Sequence, residues 1–101
     1  MKYAAIIKFS ADSSVTAPPV RPAHREYLTR LRDAGKLSLS GPFLDGGALI
    51  IYEAEKPEDV ETLITDDPFA KSGVFASWEV HPVTRIEYWD STRAGFVEYP
   101  R

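Results

Sequence analysis

The chain has 101 residues, 44% of them hydrophobic and 27% charged, the size and balance of one folded domain with its own core. A net charge of −3 with scattered arginines argues against a nucleic-acid partner, which needs a basic stripe. The absence of cysteine excludes disulfides, thiolate metal sites and cysteine nucleophiles, and fits a reducing compartment.

The first predicted element is a strand from Tyr3 to Phe9, with Tyr3, Ala5, Ile7 and Phe9 on one face and Ala4, Ile6 and Lys8 on the other. The apolar run between Lys2 and Lys8 is too short for a signal-peptide core, and no run approaches a membrane span. A cytoplasmic protein without a membrane partner is therefore expected. Ser10 to Val20 reads as a polar, proline-bearing loop, long enough to act as a lid.

From Pro22 the period changes. His24, Tyr27, Leu28, Leu31 and Ala34 recur at helical spacing, with Arg25, Glu26, Arg30, Arg32 and Asp33 on the outer face. Pro22 suits the first turn of this helix and Gly35 its end. Leu37 to Ser40 alternates as a second strand, closed by Gly41-Pro42, and the turn Asp45-Gly46-Gly47 leads into a third strand, Ala48 to Ala54. Pro57-Glu58-Asp59 opens a second helix, whose buried stripe is Val60, Leu63 and Ile64. Pro68 disfavours helical continuation at Asp67. A fourth strand, Phe75 to Val83, sets Ala76, Trp78 and Val80 on one face and Phe75, Ser77, Glu79 and His81 on the other.

The order β-α-β-β-α-β predicts an α+β, ferredoxin-like fold: an antiparallel sheet ordered 4-1-3-2 with both helices on one face. The other face carries Ile6, either Leu49 or Ile50, and Phe75, and the expected cover is the sheet of a second copy, giving a homodimer. The tail from Arg85 to Arg101 holds Tyr88, Trp89, Phe96 and Tyr99, an aromatic extension expected to pack on the domain or on the partner subunit.

This topology gathers three places at one end of the sheet: the segment leading to His24, the strand exit at Ser40-Gly41, and the strand entry after Asp67. An imidazole at a helix start needs neutrality or a nearby carboxylate. A carboxylate at the negative end of a helix needs a donor, and His24 is the first candidate for Asp67, Arg21 the next. Such a pair orients the ring as a general base or acid. Arg21 suits an anionic substrate group, and Ser40 with Gly41 offers a hydroxyl and backbone N–H groups. Each residue also has a plain structural reading: a locally bonded helix histidine, a helix-ending Asp-Pro, a strand-ending turn. Glu79 and His81 read as partner contacts. The two histidines have no metal-ligand spacing and no glycine-rich phosphate loop is present, so neither a metal nor a cofactor is expected.

Val20-Arg21-Pro22-Ala23-His24, then Leu28, Leu31, Gly35-Lys36-Leu37 and Gly41-Pro42, then Asp66-Asp67-Pro68-Phe69 and a closing strand ending in Pro82, resemble the YciI-like (YCII-related) family over residues 1–84. The resemblance implies a dimeric α+β barrel, the fold of muconolactone isomerases and several cofactor-free ring-modifying enzymes. It also implies a site built on a histidine and an aspartate, here His24 and Asp67. The family's enzymatic precedent is a dehydrochlorinase acting on a chlorinated hydroxyquinol. Ser40 is not carried over by the resemblance, and the aromatic tail lies past the family's usual end. Two functions follow as expectations: a cofactor-independent lyase or isomerase for a cyclic or aromatic small molecule, or a non-catalytic dimeric metabolite-binding or interaction module with His24–Asp67 as a structural clamp.

Overall fold

Alternation in β1 (Lys2–Phe9) turns Tyr3, Ala5, Ile7 and Phe9 inward, where the first three are almost fully buried. The structure, a computed structural model, describes residues 1–99. β1 is followed by α1 (Ser13–Asp33), β2 (Leu37–Pro42), β3 (Ala48–Glu53), α2 (Pro57–Thr65), a short α3 (Pro68–Lys71) and β4 (Phe75–Val83). The sheet is ordered β2-β3-β1-β4 with every neighbouring pair antiparallel, an α+β ferredoxin-like arrangement with helices covering one face. No helix among the described residues is long and apolar enough to cross a membrane.

The core lies between the helices and the sheet. Val60 and Ile64 of α2 are 0% exposed and pack with Ile7, Ile50, Tyr52 and Phe69. Full burial of an aliphatic side chain of that size is worth about 1.5–3 kcal/mol. α1 ends in a Schellman turn: Gly35 at φ +75° donates to Arg32 O, and Lys36 N donates to Leu31 O at 2.8 Å.

Three expectations are corrected. The segment from Ser10 to Val20 is not a loop or lid; α1 begins at Ser13 and contains Pro18, Pro19 and Pro22 in its interior. Those prolines withhold N–H groups from the carbonyls of Ser14, Val15 and Pro18, which are not buried, so water replaces the missing bonds. Buried Ala17 and half-buried Val20 prolong the apolar stripe of His24 backwards and fasten this first part of the helix to the core. His24 therefore sits in mid-helix and not at a helix start.

Phe75 is the second correction. It faces the helices, at 5% exposure, because β4 carries a bulge that pairs Lys8 with Ser77 but Phe9 with Phe75. The register also settles the β3 alternative, since Ala5 pairs with Ile50 on the core side while Ile6 pairs with Leu49 on the open face.

The third concerns Asp67. α2 stops at Thr65 and Asp67 is extended, at φ −64° and ψ 132°, so its carboxylate begins α3 instead of ending α2. Pro68 forces this conformation on the residue before it.

The tail forms a separate hairpin, β5 (Glu87–Asp90) with β6 (Gly95–Glu98). Tyr99 O–H donates to Ser38 O at 3.0 Å, so the hairpin's end is tied to β2. Pro100 and Arg101, the last residues of the expected extension, lie outside the described residues.

Candidate active site

α1 packs across α3, and this crossing brings the expected pair together: His24 Nδ1 lies 2.7 Å from Asp67 Oδ1. The same oxygen accepts the Phe69 backbone N–H at 2.9 Å, capping α3. A carboxylate oxygen only accepts, so Nδ1 carries the proton and Nε2 of the neutral ring is the basic nitrogen. Phe69 stacks flat on the imidazole, 3.8 Å between centroids at 8°, while Phe75 meets it edge-on at 6.1 Å. The ring is thereby fixed in two directions. Asp67 is wholly buried, whereas the His24 side chain keeps 13% of its surface exposed.

That exposed edge opens on a cavity of about 490 Å³. Its floor is apolar, with Phe9, Phe69, Phe75, Leu28 and Ile50. Arg21, Ser40 and Gly41 all line it, so the structure brings every expected site residue to one place except Asp67, which stands behind the histidine. Arg21 and Arg25 are solvent-exposed at the rim. Arg25, on the outer face by helical spacing, nonetheless lines the cavity; its i+4 spacing from Arg21 is the signal that joins it to the site. Ser40 reaches the cavity because β2 has an extra residue at Ser38: Leu37 pairs with Tyr52 but Leu39 with Ile51, which sets Ser40 opposite Ile50. Nothing stands within 4 Å of a Cβ built on Gly41, so the wall there does not require glycine.

Glu79 and His81 stay apart from this site, on the open face, joined to each other at 3.2 Å. Among the described residues no group of three or more His, Cys, Asp or Glu side chains is placed to hold a metal.

Behind Asp67 the core is partly polar. Tyr27 O–H donates to Leu63 O at 2.7 Å, and its pKa is pushed up to about 12 by burial and then by the charges of Asp66 and Asp67. Tyr52 is raised well above the ordinary tyrosine value by burial, then by the Asp67 charge. The Tyr52 hydroxyl and Asp67 Oδ2 are buried without hydrogen-bond partners among the described residues.

Residues 1–84 match the YCII-related domain family. The protein YciI of Escherichia coli O6:H1 is 30% identical over 97 residues, covering 85% of this chain and 99% of that protein, and YciI of Shigella flexneri gives the same figures. Among solved structures, the 5-chloro-2-hydroxyhydroquinone dehydrochlorinase TftG of Burkholderia phenoliruptrix, in complex with 2,5-dihydroxybenzoquinone, superposes with a TM-score of 0.73. That similarity covers 84% of this chain and 95% of TftG at 27% identity. Sequence and fold agree, and the chain belongs to the YCII-related, YciI-like family.

Proposed function

We propose that this protein is a cofactor-independent enzyme of the lyase or isomerase type, acting on a cyclic or aromatic small molecule. One observation carries the reading: a histidine held through Nδ1 by a buried carboxylate at 2.7 Å, with its other ring edge at the wall of an apolar cavity. His24 Nε2 takes a proton from an acidic ring hydroxyl or ring carbon, and Asp67 stabilises the imidazolium that forms. The proton returns to another ring position in an isomerisation, or leaves with the departing anion in an elimination. Phe9, Phe69 and Phe75 suit a flat ring, Arg21 an anionic oxygen, and Ser40 with Gly41 the opposite edge. TftG, with its quinone ligand, supports a substrate of this size and shape.

Asp67 also caps α3, which favours a second reading of the pair as a structural clamp in a binding module. Turnover separates the two. Hydroxylated and halogenated hydroquinones and quinones are incubated with the protein and followed by absorbance and chromatography. His24→Ala and Asp67→Asn lower any turnover by about 10²–10⁴-fold while circular dichroism remains native. Turnover that survives His24→Ala would remove the histidine from the mechanism and leave the clamp.

We further propose that two copies pair through their open sheet faces, where Ile6 is 40% exposed beside Leu49 and Leu39 stands on the same face, opposite Ile51.

A further inference from the structure

The carboxylate that holds His24 is secured at one oxygen only. Oδ1 takes two donors, from His24 and from the Phe69 amide, while Oδ2 takes none among the described residues. A carboxylate bonded through one oxygen can still swing about that point. A charge buried in an apolar core also needs more hydrogen bonds than this to offset its lost hydration. The second buried polar atom without a partner is the Tyr52 hydroxyl. Both residues are 0% exposed, so bulk water does not reach either group. Their chemistry is complementary, because a phenol donates and a carboxylate oxygen accepts. They also share one part of the core: Tyr52 belongs to the same buried cluster as Phe69, whose amide is held by Asp67 Oδ1, and the Asp67 charge acts on Tyr52.

We propose that Tyr52 is a positioning residue whose hydroxyl donates to Asp67 Oδ2, through one buried water or once the carboxylate swings toward it, and so fixes the plane of the carboxylate that orients His24. A bridging water there would have two polar partners, the Tyr52 hydroxyl and Asp67 Oδ2, both otherwise unpaired among the described residues. The inference rests on His24–Asp67 as the working pair of the site, and Tyr52 itself touches no substrate. Its place on β3, paired with Tyr3 and Leu37, gives Asp67 a fixed support on the sheet, while its other bonds are to the helices.

The test is Tyr52→Phe, which removes the hydroxyl and keeps the ring. Two properties are read: the tautomer-sensitive ¹⁵N resonances of the His24 ring and the thermal midpoint. With Oδ2 released, the hold on Nδ1–H loosens and the ¹⁵N resonances move toward the Nε2–H tautomer. The midpoint falls by roughly 4–8 °C, the usual response of a domain this size to one lost buried hydrogen bond. If the hydroxyl is an idle buried group, its removal leaves the midpoint level or raises it and the ring resonances stay in place. Unmoved ¹⁵N resonances overturn the proposal whatever the midpoint does. Neither readout involves turnover, so this coupling and the proposed activity stand or fall separately.

Discussion

Asp67 serves two structures with one atom: Oδ1 caps α3 and holds the imidazole, so the carboxylate cannot leave the histidine without unravelling the short helix. The charge of Asp67 also acts on its neighbours, which gives a pH dependence at Tyr27. That phenol titrates at about 12 in the folded protein, against an ordinary value of about 10. A raised folded value means that the folded state keeps the proton longer. The resulting stability is complete below about pH 10 and is lost as pH rises from there through about 12. Denaturant midpoints across this range should fall in the parent protein and fall less steeply in Tyr27→Phe. Equal slopes would mean that Tyr27 is as free in the folded state as in the unfolded one. The His24–Asp67 pair was legible in the sequence, because Pro68 marks where Asp67 must turn and the topology brings both residues to one end of the sheet. The electrostatic reasons read there do not hold, since neither residue occupies the helix end assigned to it. Tyr52 and Arg25 were not legible as parts of the site, because burial and the cavity rim are tertiary facts.

At the scale of elements, the four main strands and their order were readable from alternation and turn residues, and two local features were not. The first is the pair of bulges. Strict alternation puts Leu37 with Leu39 and Phe75 away from Trp78, but an extra residue at Ser38 and another at Ala76 reverse the faces beyond them. These two irregularities deliver Ser40 and Phe75 to the cavity. The second is the start of α1, where prolines hide a helix that packing enforces. A proline in a helix interior is about 3 kcal/mol worse than alanine, offset by about 0.4–1 kcal/mol of entropy withheld from the unfolded chain. Pro22 is exposed and has no packing to lose, so Pro22→Ala should stabilise the protein by roughly 2–2.6 kcal/mol in denaturant unfolding. Unchanged stability would show that the solvated Pro18 carbonyl and the surrounding packing already offset the proline.

Over the whole molecule, mass stands away from the domain. The radius of gyration is 14.3 Å, above the ~13 Å of a compact chain of this length, and the longest dimension is 44 Å. The aromatic tail was recognisable from composition, but its form as a hairpin was not. Trp89 and Phe96 meet edge-to-face at 5.4 Å and remain 57% and 69% exposed. A two-stranded hairpin is marginal by itself in water, and this one is tied at its end by Tyr99 on β2, next to Lys2, which is buried on the open face. The hairpin's anchor, the exposed Ile6 and the half-buried Leu49 thus belong to the same side of the sheet. A second copy set face to face would cover both. Sedimentation or light scattering should then give twice the chain mass for the parent, and Ile6→Glu, which sets a charge in the middle of the apolar face, should give the single-chain mass. The His24–Asp67 contact lies on the helix side, so the monomeric variant should keep the ¹⁵N signature of the bound histidine. A parent protein that sediments as a monomer, or an Ile6→Glu variant that remains dimeric, would show that the open face is not where copies meet.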